Sequence, residues 1–184
     1  IPQNLLRHFT VKTDFTAARG RLSLSQADVT LDKTTFAGAV DWRAGGRKTL
    51  DVSGSFSQLN LGEYFPQTSK KYAEKRKDFA ALTPTRQVRA LFDSLAFLND
   101  ADVVADLKTE SLLWADFNVE KVKADFAVSR GRMKINEISV KELQTSDIKI
   151  KGEAEGFGGE PKFNDFVVIA SATRLSSLAQ ALGI

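Results

Sequence analysis

Asp100, Asp102 and Asp106 are carboxylates spaced by two and four residues, so on a β-strand all three face one side and could together hold a hard cation. Ala101, Val103 and Ala105 alternate with them, and the solvated face of a strand accounts for all of these residues without a metal. No metal site is therefore assigned. His8 is the sole imidazole and cysteine is absent, which excludes thiolate nucleophiles, disulfides, Cys-based metal centres and any multi-His site. A Ser-His-acid triad would have to pass through His8, and no G-x-S-x-G elbow accompanies it, so an exposed His8 is the simpler expectation. The glycines at 152, 156, 158 and 159 read as a turn, because no helix opens directly after them to present amides to a phosphate. Nothing marks out a glycosidase-like pair of carboxylates. These residues point to a non-enzymatic protein that calls for no cofactor.

The elements that would position any site are legible in the patterning of the 184 residues, 42% of them hydrophobic and 27% charged. Phe9, Val11, Thr13, Phe15 and Ala17 fall on one parity, the period of a half-buried strand. Arg19-Gly20-Arg21 turns the chain, Leu22 and Leu24 restart the alternation, and a slip to Ala27, Val29 and Leu31 predicts a β-bulge at Ser25-Gln26. Phe36, Gly38, Val40 and Trp42 form a third strand, and Leu50, Val52, Gly54 and Phe56 a fourth after a Gly45-Gly46 turn. Strands resume over Ala101–Leu107 and Phe117–Val128, with a slip at Glu120-Lys121; Arg130-Gly131-Arg132 turns the chain into a strand with Met133, Ile135, Ile138 and Val140 and a slip at Asn136-Glu137, and strands follow over Ile148–Ala154 and Phe166–Ala170.

Between the two β regions the pattern predicts a helical insert over about 67–98. A polar helix carries Lys70, Lys71, Lys75, Arg76 and Lys77, and a second helix starting at Thr83-Pro84 buries Val88, Leu91, Phe92, Leu95 and Leu98. The five basic residues are candidates for contact with an anionic membrane surface, against the plainer expectation of a solvated connector. Thr173-Arg174 opens a C-terminal helix that Gly183 stops. The expected fold is mainly β with α: a long curved antiparallel sheet, a duplicated meander forming an open groove, with a helical insert and a C-terminal helix. Its divisions are a first β-meander unit at 1–66, the insert at 67–98, and a second β-meander unit with its terminal helix at 99–184.

The net charge of +3 is too weak and too mixed for a nucleic-acid groove, while it tolerates anionic lipid. The longest apolar runs, such as Phe166–Ala170, fall far short of the roughly 20 residues of a spanning helix, so the sequence as given is expected to be soluble. Its start at Ile1 reads as a piece of a longer or processed protein.

The most specific signal is internal. VKTDFTAARGR at 11–21 and VKADFAVSRGR at 122–132 share Val, Lys, Asp, Phe, Arg, Gly and Arg without a gap, and the strand order downstream of each copy agrees. Duplication explains identities outside the turn better than convergence of two hairpins on one turn type.

With the repeat, the strand DADVVADL at 100–107, RGRMKINEISV at 130–140, IKIKGEAEG at 148–156 and the closing LSSLAQALG at 175–183 resemble the AsmA family of bacterial envelope proteins, relatives of the TamB-like proteins. The first copy, RGRLSLSQADVTLDKTTFAGAVDW at 19–42 and LDVSGSFSQLNLGEYFP after it, is similar to the corresponding part of a preceding unit. The resemblance implies a periplasmic segment of an inner-membrane anchored protein, its anchor outside this sequence. It further implies binding of phospholipid acyl chains in a hydrophobic β-groove, transport of lipid between inner and outer membranes, and a part in envelope integrity. Phospholipids are then the expected ligand, with the membrane surface or envelope proteins as further partners.

The candidate groove-lining residues are Val11, Phe15, Leu22, Leu24, Val122, Phe126, Met133 and Ile135. The competing expectation for each is an ordinary core packed against the helices. A second class of function is a scaffold that joins partner chains through sheet edges, whose unpaired amides and carbonyls invite another strand.

Overall fold

The structure, a computed structural model, describes residues 8–60, 83–114, 117–143 and 146–172. Ten strands follow one another: β1 (Phe9–Ala18), β2 (Arg21–Leu31), β3 (Thr34–Arg43), β4 (Lys48–Phe56), β5 (Leu59–Asn60), β6 (Ala101–Trp114), β7 (Phe117–Ser129), β8 (Arg132–Leu143), β9 (Ser146–Glu155) and β10 (Lys162–Ala172). Among the described residues between β5 and β6 stand one short helix, α1 (Pro84–Ser94), and a 3-10 turn (Ala96–Asp100).

All ten strands belong to one sheet, ordered β1-β2-β3-β4-β6-β7-β8-β9-β10, with β5 beside β6. Neighbours pair antiparallel except at the centre, where β4 runs parallel to β6 from Lys48 opposite Ala101 to Phe56 opposite Thr109. The two-residue β5 holds the same parallel register further along β6, with Leu59 opposite Leu112, so it prolongs the line of β4 past Ser57-Gln58.

The expected fold is thereby corrected. In place of an antiparallel duplicated meander with a helical insert and a terminal helix, the described residues form a single mixed sheet. Their helical content is limited to the short α1 and the 3-10 turn. The basic segment with Lys70, Lys71, Lys75, Arg76 and Lys77, and the segment from Thr173 on, lie outside the described residues. The parallel seam has a plain cause. A chain that leaves β4 by a connection of more than forty residues is free to re-enter the sheet in the same direction, whereas a tight turn must reverse it.

The sequence repeat is also a repeat of register. Phe15 pairs with Leu24, Ala17 with Leu22 and Ala18 with Arg21 in the first hairpin; Phe126 pairs with Ile135, Val128 with Met133 and Ser129 with Arg132 in the second. Each closes through a two-residue loop in which the glycine takes positive φ, +75° at Gly20 and +72° at Gly131, a region that L side chains avoid. The slip read at Ser25-Gln26 is a register shift between Leu24 and Ala27, with Gln26 at φ +51°. Its counterpart at Asn136-Glu137 is a shift between Ile135 and Ile138, and the slip at Glu120-Lys121 brings Lys121 to φ +50°. Each bulge adds one residue and returns the apolar side chains to the face they occupied before it.

Candidate functional site

Directly paired residues of neighbouring strands project to one side of a sheet, so the register assigns every side chain to a face. Val11, Phe15, Leu22 and Leu24 share a face with Val29, Phe36, Val40, Trp42, Leu50, Val52 and Phe56. Across the parallel seam the same face continues through Val103, Ala105 and Leu107 to Val122, Phe126, Met133 and Ile135, and then to Ile148, Ile150 and Val168. All eight sequence-selected residues thus lie on one apolar face that crosses the whole sheet.

Their surroundings differ. Val11, Phe15 and Leu22 are exposed, Leu24, Val122, Phe126 and Met133 are half-buried, and Ile135 is 8% exposed. The cause lies at the turn end of the second hairpin, where Phe92 of α1 and Leu98 of the 3-10 turn close over Val128, Ala154 and Phe157. Leu95, Val103, Phe126 and Met133 pack against that cluster. Phe126 and Met133 are therefore part of a small core, the competing expectation stated for them.

Local chemistry fixes this cover. Thr83 is extended and Pro84 takes the first helical position, where its missing N–H costs nothing. The Phe92 ring stacks on Phe157 at 5.3 Å and meets Phe163 of β10 edge-on at the same distance, and Phe163 in turn meets Phe166 at 4.9 Å. The Gly158 amide donates to the Phe92 carbonyl (3.1 Å), the Asn99 side-chain amide donates to the Phe157 carbonyl (2.8 Å), and Arg89 pairs with Glu160. Phe157 escaped the sequence reading because it stands among glycines that were read only as a turn.

The opposite face carries the charged pairs, with Val104, Val167 and Ile169 exposed among them. Asp41 accepts from Arg21 and Arg43, both at 2.7 Å, and Glu137 lies 3.2 Å from Lys149 and 3.5 Å from Lys123. Arg132 reaches Glu155 on the next strand. Hydrogen bonding to Arg21, then to Arg43, lowers the pKa of Asp41, and the Lys149 hydrogen bond together with the Lys123 charge lowers that of Glu137. Asp102 is held by Arg47 at 2.8 Å and also takes a hydrogen bond from Ser129, which lowers its pKa likewise. The aspartates read as possible cation ligands are therefore not gathered into a site: Asp102 is committed to Arg47, and among the described residues no group of three or more acids or imidazoles could hold a metal ion. His8 is exposed, its backbone N–H donating to Asp32. A cavity of about 440 Å³ at the turn end includes Arg130, Glu155, Glu160 and Lys162 in its wall, with Glu155 and Glu160 already engaged by Arg132 and Arg89.

No family model, curated protein or solved structure matches this chain.

Trp42, Phe163 and Val168 belong to the exposed apolar surface although none was selected from the sequence. The alternation that placed Trp42 and Val168 in strands was the available signal, since it applies equally to every strand of the sheet. Among the described residues no helix is long and apolar enough to cross a membrane.

Proposed function

We propose that the apolar face of the sheet binds the acyl chains of phospholipids, as the soluble, non-enzymatic part of a lipid-handling envelope protein. One observation carries the reading: the face is apolar on every long strand, and among the described residues α1 and the 3-10 turn pack on it only at one end of β6–β10, while Phe9, Val11, Phe15, Leu22, Trp42 and Val168 are exposed on it. Half-buried rows such as Val29–Phe36–Phe56 and Val40–Val52 join these exposed residues into one apolar face. An extended exposed apolar surface of this kind marks a site of interaction. Each methylene moved from water onto such a face contributes about 0.8 kcal/mol, so a chain lying along several strands gains enough without any polar contact.

A periplasmic setting, an inner-membrane anchor elsewhere in the parent protein and transport between the two membranes rest on the AsmA-like resemblance. That resemblance also supplies phospholipid as the ligand class. The test is to purify the protein from its native envelope without detergent and to identify bound lipid by mass spectrometry against a periplasmic protein of similar size. Enriched phospholipid supports the reading, and a folded, lipid-free sample rejects it.

A further inference from the structure

The two hairpins are equivalent in register and unlike in surroundings. Phe15 corresponds to Phe126, Ala17 to Val128 and Leu22 to Met133. Trp42 corresponds to Ala154, since it lies opposite Leu22 as Ala154 lies opposite Met133. In the second hairpin these positions pack with Phe92, Leu95 and Leu98, and β6 pairs along the outer edge of β7. In the first, Phe15 (68%), Leu22 (38%) and Trp42 (39%) are exposed, and among the described residues no strand pairs with the outer edge of β1.

We infer that the outer edge of β1, with Phe15, Leu22 and Trp42 beside it, is a docking surface for a second helix-strand element of the kind formed by Pro84–Trp114. Its occupant is a polypeptide segment with a short amphipathic helix, a tight turn and a strand of alternating apolar and polar residues. The strand runs antiparallel to β1, with the counterparts of Val103 and Ala105 opposite Ala17 and Phe15, as they lie opposite Val128 and Phe126 in the second hairpin. Its helix lies over Phe15, Leu22 and Trp42.

Two observations beyond exposure name this occupant. The chain itself shows which structure covers an equivalent hairpin, in a register fixed by β6 and β7. In addition, β1 is a ten-residue strand at the edge of the described sheet, with Phe9, Val11 and Phe15 exposed on one face. Adding a strand to such an edge satisfies its main chain, and the side-chain pockets set the register.

The absence of cysteine makes the register directly testable. A synthetic peptide of residues 84–114 carrying Val104→Cys is mixed under mild oxidation with the full chain carrying Thr16→Cys, Thr10→Cys or Ala127→Cys. Val104 lies opposite Ala127 in the sheet, and Thr16 is the counterpart of Ala127 in the first hairpin. Thr10 is six residues off register, about 20 Å along the strand. Cross-linking to Thr16→Cys at least about tenfold above Thr10→Cys is expected, as is its loss when Phe15→Glu and Trp42→Glu are added, because both place charge under the helix. Phe15 and Trp42 are exposed, and thermal unfolding of the doubly substituted chain checks that it folds. Equal or absent cross-linking at Thr16 and Thr10, or preferential reaction with Ala127→Cys through displacement of β6, would overturn the inference.

Discussion

Phe15 and Phe126 occupy the same place in two hairpins of the same register, Phe15 opposite Leu24 and Phe126 opposite Ile135, yet Phe126 packs against the cluster around Phe92 while Phe15 is 68% exposed. One sequence motif thus serves as core in one setting and as surface in another. The difference should appear in stability. Phe126→Ala is expected to cost about 3 kcal/mol by leaving a cavity among Phe92, Val128 and Met133, and Phe15→Ala less than about 0.5 kcal/mol. Urea unfolding of the two variants, compared at constant slope, checks this, and equal losses would mean that Phe15 is covered as well.

The close approach of β3 to β4 makes a second prediction. Gly38 and Gly54 lie opposite each other on the apolar face, beneath the Phe36 ring, whose centre is 4.9 Å from that of Phe56. A Cβ on Gly38 would overlap the Ser53 carbonyl oxygen and stand 2.7 Å from the Gly54 Cα and 2.8 Å from the Phe36 ring. Gly38→Ala is therefore expected to lower stability by about 1–3 kcal/mol, the range of overpacked sites. Gly46→Ala, where nothing lies within 4 Å, should leave the unfolding midpoint nearly unchanged.

The polar face sets the pH response. The Lys149 hydrogen bond holds the carboxyl of Glu137 below its usual range, Arg21 does the same for Asp41, and Arg47 for Asp102. A carboxylate whose folded pKa is depressed contributes its stabilisation fully above the unfolded value, about 4, and loses it as pH falls through the folded value. The melting temperature should therefore show no contribution from these groups to its slope between pH 7 and 5, and should drop below about pH 4. Glu137→Gln should lower it at neutral pH and converge on the parent chain in acid. A constant difference from pH 7 to 3 would show that the Glu137 charge plays no part.

The alternation of Phe9–Ala17, the turns at Arg19-Gly20 and Arg130-Gly131, and the bulge at Ser25-Gln26 were legible because each is local. A two-residue side-chain period, a glycine at positive φ and a parity slip leave marks in neighbouring residues. The direction of β6 beside β4 leaves no such mark, since Leu50 and Val52 alternate alike in a parallel or an antiparallel pair. That Phe126 and Met133, and not Phe15 and Leu22, join a core was equally hidden. It depends on Phe92 and Phe157, one more than thirty residues before Phe126 in sequence and the other in a loop read only as a turn.

The most direct test of the proposed lipid-binding face uses two neighbouring residues of β10 that point to opposite sides. Val168 lies on the apolar face opposite Ile150, Ile169 lies on the other, and their exposures are 56% and 58%. A fluorophore placed on Val168→Cys or Ile169→Cys is titrated with phospholipid brominated in its acyl chains. Binding to the apolar face requires strong, saturable quenching at Val168→Cys and little at Ile169→Cys. Equal quenching at both positions, or none at either in a folded protein, would contradict it.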